Sequence, residues 1–405
     1  MKPIVRAGRM KPVHSDIRGP LFVEAMKRQK QGIDILKLNT GNPATFGFGL
    51  PDSIKNALME HMQDGVGYCD FKGMPQARQA ICDYETSKGI NGITSDDVFI
   101  GNGVSEVVSF ALTPLLNDGD EVLVPSPSYS LWGNSVYLED GKPVFYTCDE
   151  QANWYPDIQD IRSKITDKTK AIVIINPNNP TGVLYPKEIL LEIIQIARES
   201  GLLIFADEIY DRLVMDGKQH ISLASLTEDV PVITLNGLSK SHCLCGYRCG
   251  WMVISGPREL TEDYRQGIIQ LTSLRLCANT MAQIVIPAAL DDMETPASMV
   301  RPGGRIYEQR EATVRELEKI DGLSFVKNDA AFYVFPKLDV KKFNITNDKQ
   351  FAHDLLDATN ILLVPGSGFD WKDPDHFRIV MLPQADILSD AIRRMGTFLD
   401  GYKQK

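Results

Sequence analysis

Lys240 is the residue of this sequence with the most reactive chemistry in prospect. It sits in Asn236-Gly237-Leu238-Ser239-Lys240-Ser241, directly after an apolar run at 232–235. A lysine amine that can lose its proton is able to form a Schiff base with an aldehyde. Asp207 closes a second apolar run, 202–206, and Tyr210 follows three residues later. A carboxylate at the end of a buried run is costly unless it meets a positive group. A heteroaromatic nitrogen held in its protonated form would be such a group, and a phenol could donate to an oxygen on the same ring. Asp207 would equally suit a cap on a following helix. A third run, 171–175, leads into Asn176-Pro177-Asn178-Asn179-Pro180-Thr181-Gly182. That density of Pro, Asn and Gly is turn chemistry, and an asparagine amide there could donate to a ring oxygen or a carboxylate.

Further positions suit anions. Gly101-Asn102-Gly103-Val104-Ser105-Glu106 lies between an apolar run and a helix-like stretch. A helix N-terminus presents free N–H groups and a positive dipole end to an anion such as phosphate. Arg248, in Gly246-Tyr247-Arg248, could add a forked contact. Tyr129, after Pro125-Ser126-Pro127-Ser128, could stack on a flat ring. Arg378 stands between Phe377 and Ile379. If buried it needs an anion, either an acidic side chain of this chain or the α-carboxylate of an amino acid.

The elements that must hold these residues are legible as a series. Apolar runs at 98–100, 121–124, 143–147, 171–175, 202–205, 232–235 and 251–254 lack polar alternation. Such runs suit strands buried on both faces. The segments 105–116 and 187–200 carry apolar residues at helical spacing. Strands separated by helices predict an α/β fold with a largely parallel central sheet. Ligands of such sheets bind beyond the carboxyl ends of the strands, which is where the reactive residues fall. Shorter runs at 323–326, 332–335, 361–364 and 377–380, with helical stretches around them, predict a smaller α+β domain. The expected division is an N-terminal segment 1–51 contributing to the small domain and active site, a large domain 52–300 and a small domain 301–405.

Composition bounds the rest. The chain has 405 residues, 43% hydrophobic and 24% charged, long enough for about two to three domains. A formal charge of -10 argues against nucleic acid or an anionic membrane surface as partner. No apolar run approaches the length of a membrane helix, about 18 residues. The seven cysteines are mostly scattered. Cys243, Cys245 and Cys249 cluster without the paired spacing of a zinc site, so free thiols, no metal and a cytoplasmic location are expected.

Taken in order, Asn178 to Gly182, Asp207 with Tyr210, Ser239-Lys240 and Gly246-Tyr247-Arg248 resemble the motifs of class I aminotransferases. These are pyridoxal 5'-phosphate (PLP) enzymes of fold type I. The resemblance covers nearly the whole chain. It implies that Lys240 holds PLP and later moves a proton, that Asp207 pairs with the pyridine nitrogen, and that Tyr210 and Asn179 bond the ring oxygen. It further implies that Gly103, Val104, Ser105 and Arg248 hold the phosphate, with Tyr129 stacked on the ring. Tyr68 resembles a residue that reaches the phosphate of a neighbouring subunit, which implies a homodimer. Gly41, Asn179 and Arg378 would receive the substrate carboxylate. Many relatives carry a hydroxyl three residues before the lysine; here that position is Gly237, and Ser239 is the candidate to replace it.

Asp16 to Pro20, Gly41-Asn42-Pro43 with Phe46 to Phe48, and Gly67 to Asp70 look like bacterial alanine (glutamate–pyruvate) aminotransferases. The implied reaction is ping-pong transfer between L-alanine and 2-oxoglutarate, with Arg18 proposed to meet the second carboxylate of glutamate. Transamination of another amino acid and carbon–sulfur β-elimination are the alternatives on the same fold.

Overall fold

The structure, a computed structural model, describes residues 3–405. Its strands, in chain order, begin with β1 (Leu36–Lys37), β2 (Val98–Asn102), β3 (Glu121–Ser126), β4 (Lys142–Asp149) and β5 (Tyr155–Pro156). They continue with β6 (Thr169–Ile175), β7 (Leu203–Asp207), β8 (Val232–Gly237) and β9 (Cys249–Ser255). The last are β10 (Leu323–Ser324), β11 (Tyr333–Val334), β12 (Lys337–Leu338), β13 (Ile361–Leu362), β14 (Val364–Pro365) and β15 (Phe377–Val380).

β2 to β9 form one eight-stranded sheet, ordered β2-β9-β8-β7-β6-β3-β4-β5. β8, β7, β6, β3 and β4 run parallel, as the sequence predicts. β9 is antiparallel to both neighbours, and the edge strand β5 is antiparallel to β4. The uninterrupted apolar runs follow from cover on both faces. On one face Leu123, Ile172, Ile174, Ile204 and Val232 pack against Leu190, Ile193 and Ile194 of the helix Lys187–Ser200. On the other, Val122, Val124, Val173, Phe205 and Ile233 pack against Val107, Val108 and Leu112 of the helix Val104–Leu112. β3, β8 and β9 are therefore wholly buried, and β2, β6 and β7 at all but one residue each, which removes the alternation there.

The register decides what meets at the catalytic edge. Ile175 is paired with Asp207 and Asp207 with Leu235, so β6 and β7 end level and β8 runs two residues further, to Gly237. Because β9 runs the other way, its first residue, Cys249, pairs with Asn102 at the end of β2. Arg248 thereby arrives at the same edge as the Gly103 turn.

The C-terminal strands are shorter than their apolar runs predict. Only Leu323–Ser324 of 323–326 and Tyr333–Val334 of 332–335 are strand. The run 361–364 is two strands: β13 pairs with β1, and β14 with β15, so the chain changes partner at Leu363. The pairing of β1 with β13 ties the N-terminal segment to the C-terminal part. Leu38 joins that core with Leu355, Leu363, Ile379 and Met395.

Candidate active site

A cavity of about 530 Å³ opens at the ends of β6, β7 and β8. Lys240, Asp207, Tyr210, Asn179, Arg248 and Arg378 all line it. So do Gly41, Val104, Ser105, Tyr129, Ser239 and Arg18. Tyr68 lies outside it and is 84% exposed.

Lys240 belongs to a short helix, Leu238–Ser241, that starts where β8 ends. Its Nζ donates to the Gly41 carbonyl at 3.0 Å and lies 4.0 Å from Cys245 Sγ. Burial is the largest influence on its acidity and opposes the charge. Tyr333, Cys245 and Tyr129 reverse that and hold its pKa above the ordinary lysine value.

Asp207 is buried at the end of β7. Burial pushes its carboxyl up to about 6, against a donation from Trp132 Nε1 to Oδ2 at 3.0 Å and a weaker one from the Ile209 N–H to Oδ1 at 3.4 Å. No lysine, arginine or histidine pairs with it within 4 Å among the described residues. A buried carboxylate in this state is short of one positive partner, which a protonated ring nitrogen would supply.

The phosphate side is built by close approach. Gly103, with φ +86°, caps the helix Val104–Leu112, and a Cβ there would collide with the Arg248 guanidinium. Arg248 Nη2 donates to Ser105 Oγ at 3.0 Å. The free N–H groups of this helix start, one hydroxyl and one guanidinium form a donor set fit for a phosphate dianion. The missing hydroxyl at 237 has a steric cause: a Cβ on Gly237 would stand 2.5 Å from the Cys249 carbonyl oxygen. The Ser239 hydroxyl lines the cavity instead.

Arg378 is 1% exposed. It donates from Nη1 to Asn179 Oδ1 at 2.9 Å and from Nη2 to the Asn39 carbonyl, while its Nε has no partner. The guanidinium lies 4.6 Å from the Tyr333 ring centroid and 4.7 Å from that of Phe369. No carboxylate pairs with it among the described residues, so the internal salt bridge the sequence left open is not formed. Burial lowers its pKa, yet an arginine stays protonated in proteins, which leaves a buried cation in want of an anion. Arg18 is exposed and lines the cavity, and no acidic group pairs with it among the described residues.

Sequence reasoning missed three residues. Trp132 holds Asp207 from the helix Leu131–Leu138. Tyr333 shares a 2.9 Å hydrogen bond with the Tyr210 hydroxyl. Cys245 contacts Lys240. Tyr333 left a signal, a phenol inside the apolar run 332–335 whose hydroxyl must find a partner when buried. All seven cysteines are free, and no single helix among the described residues is long and apolar enough to cross a membrane.

The comparisons agree with this geometry. The profile of the family described as aminotransferase class I and II matches residues 33–392. The chain is 50% identical over the whole of both chains to the glutamate-pyruvate aminotransferase AlaA of Haemophilus influenzae. It is 45% identical to the alanine aminotransferase of Mycobacterium tuberculosis, covering all of this chain and 94% of that one. A crystal structure of an aminotransferase from Escherichia coli superposes with a TM-score of 0.98 at 47% identity, covering both chains completely. The alanine aminotransferase of Pyrococcus furiosus gives 0.93 at 40%, covering 98% of this chain and all of the other. The chain belongs to the class I and II aminotransferases, enzymes that work with pyridoxal phosphate.

Proposed function

We propose that this aminotransferase moves the amino group between L-alanine and 2-oxoglutarate, giving pyruvate and L-glutamate. The observation that carries the reading is Arg378, a buried cation without an acidic partner, in the same cavity as Lys240 and Asp207. That cavity can hold one carboxylate beside a reactive amine. Full-length relatives named for alanine or glutamate–pyruvate transamination support the choice of substrates.

When bound, PLP supplies an electron sink that makes the substrate's Cα proton acidic. Lys240 Nζ would be the group that holds the cofactor. As a free amine it would hold and move the substrate's Cα proton. Asp207 would hold the pyridine nitrogen in its protonated form, with Trp132 fixing its carboxylate. Tyr210 and Asn179 donate to the ring oxygen. Gly103, Val104, Ser105, Ser239 and Arg248 would hold the phosphate, with Tyr129 beside the ring. Gly41, Asn179 and Arg378 receive the α-carboxylate; the forked guanidinium matches its two oxygens. Arg18 meets the second carboxylate of glutamate and leaves alanine's methyl group unhindered. The oxo acid departs before the second substrate enters, so turnover is ping-pong.

We further propose a cytoplasmic homodimer in which Tyr68 completes the partner's phosphate site. Exposure of Met59, Met62, Val66 and Tyr68 along one stretch supports a covered surface there. The division into 1–51, 52–300 and 301–405 belongs to the same reading. The pairing of β1 with β13 supports assigning the first segment to the small domain.

The test is pyruvate formation from L-alanine by the purified, PLP-loaded protein, with and without 2-oxoglutarate. Sustained turnover only with the acceptor, lost in Lys240→Ala, is expected. Pyruvate and ammonia from cystathionine without any acceptor would establish β-elimination instead.

A further inference from the structure

Behind the catalytic edge lies a buried charge cluster that lines no part of the cavity. Lys88 follows the helix Pro75–Ser87 as its C-cap. Its Nζ lies 2.6 Å from Glu85 Oε2, 2.7 Å from Glu208 Oε2 and 3.3 Å from Asp211 Oδ2. Burial is the largest influence on Lys88 and opposes its charge, but the three carboxylates outweigh it. Glu208, Asp211 and His220 have ligand atoms within 4.8 Å of one another, a spacing that would also suit a metal ion. The lysine ammonium already supplies the cation for two of those three, so the cluster reads as an ion network.

Two of the three partners of Lys88, Glu208 and Asp211, lead to segments that carry cavity-lining residues. Glu208 is the neighbour of Asp207, and its Oε1 is fixed by the Ser222 hydroxyl at 2.8 Å and the Leu223 N–H at 3.1 Å. Asp211 accepts from the Asn236 amide at 2.7 Å, and Asn236 Oδ1 accepts the Gly237 N–H at 2.7 Å, at the entrance to the Lys240 helix. Asp211 also accepts from the Tyr84 hydroxyl at 2.5 Å. His220 Nε2, 4.0 Å from Glu208 Oε2, lies 3.1 Å from the Asn176 carbonyl at the start of the turn that carries Asn179.

We propose that Lys88 is a positioning residue for the cofactor site: one buried ammonium that locks the ends of β6, β7 and β8 in register and so aims Asp207 and Lys240 at the same ring. This rests on the PLP reading above. The lysine touches neither substrate nor cofactor. It acts through Glu208 on Asp207 and through Asp211 and Asn236 on the Lys240 turn. One cation fixing several segments of chain specifies geometry more than it adds stability, because desolvation offsets much of a buried pair's attraction. The charged and titratable groups around it are Glu85 and Tyr84 from its own helix, Glu208, Asp211 and Arg212 after β7, and His220 beyond. Arg212 stacks 4.3 Å over the Tyr84 ring. Glu85 is completely buried, and burial pushes its carboxyl up to about 7 against the pull of Lys88.

The experiment measures PLP dissociation and the pH midpoint of the bound cofactor's visible absorption band. The proteins are wild type, Lys88→Gln and Lys88→Arg. Because Lys88→Gln leaves three carboxylates without their counter-cation, the charge-balanced pair Lys88→Gln with Glu85→Gln is measured in parallel. Folding is checked by thermal melting. We expect both glutamine proteins to bind PLP at least about tenfold more weakly, as when an outer-shell partner is removed from a bound group. Loss of the cation should move the midpoint upward in Lys88→Gln, because the protonated form of the cofactor site is then favoured. Lys88→Arg, which keeps the charge, should recover most of both. A folded glutamine protein with unchanged dissociation and an unchanged midpoint would overturn the inference. Absence of a Lys240-dependent cofactor band in the wild type would overturn the PLP reading and this one with it, so the two failures are told apart.

Discussion

Asp207→Asn should stabilise the cofactor-free protein while destroying the loaded enzyme. Burial lifts the Asp207 carboxyl from its ordinary 3.8 to about 6. That is roughly a hundredfold change in acidity, equivalent to about 3 kcal/mol. The sign follows from proton counting. Between the two values the folded chain holds a proton that the unfolded chain has lost, so stability falls as pH rises across that window. Above about 6 the whole deficit is present; below 3.8 it is absent. An asparagine carries no charge to desolvate, and its oxygen can still accept from Trp132. Its amide cannot accept from Ile209 if it faces that way, which trims the gain. In thermal melting without PLP, Asp207→Asn should therefore melt above wild type at pH 8, and the difference should shrink to nothing near pH 4. With PLP present the order inverts, because the wild-type carboxylate gains its cationic partner. Transamination should fall by at least about two orders of magnitude, the scale of breaking a buried charge pair. A cofactor-free Asp207→Asn protein that melts below wild type at pH 8, or a difference that ignores pH, would refute the reasoning.

Three further substitutions test separate parts of the site. Arg378→Lys keeps the charge but loses the fork, and should cut kcat/KM for alanine by about a hundredfold, a loss of roughly 3 kcal/mol in charge-assisted bonding; steady-state kinetics that leave it unchanged place the carboxylate elsewhere. Arg18→Ala should weaken turnover of glutamate and 2-oxoglutarate well beyond that of alanine; equal loss for all three would remove Arg18 from substrate recognition. Gly237→Ser would bring a side chain 2.5 Å from the Cys249 carbonyl oxygen. It should destabilise by about 1–3 kcal/mol, the usual cost of overpacking, without tightening PLP binding; an unchanged melting temperature with stronger binding would show that the strand can yield.

The central sheet was legible because burial on both faces writes a continuous apolar run. Val232 to Leu235 or Ala171 to Ile175 can be read without knowing any neighbour. The small strands were less so. Whether 361–364 is one strand or two depends on β1, more than three hundred residues earlier, and on β15. No local pattern encodes a change of partner. The same limit separates the site residues. Lys240, Asp207 and Asn179 each follow an apolar run, so their place at the strand ends could be inferred. Trp132 could not: it lies within the helix Leu131–Leu138 rather than after an apolar run, and only tertiary packing aims its indole N–H at Asp207.

Gly237 shows how a departure from family pattern becomes physical once the register is known. It pairs with Gly250 across β8 and β9, and a Cβ at Gly250 would strike the Val104 nitrogen and Gly103. Gly250 thus lets the start of the helix Val104–Leu112 press onto the sheet, where Arg248 comes into contact with Ser105. A side chain at 237 would press on the Cys249 carbonyl and the Gly250 backbone of the neighbouring strand. The sequence displays both glycines, but neither one alone reveals that they face each other.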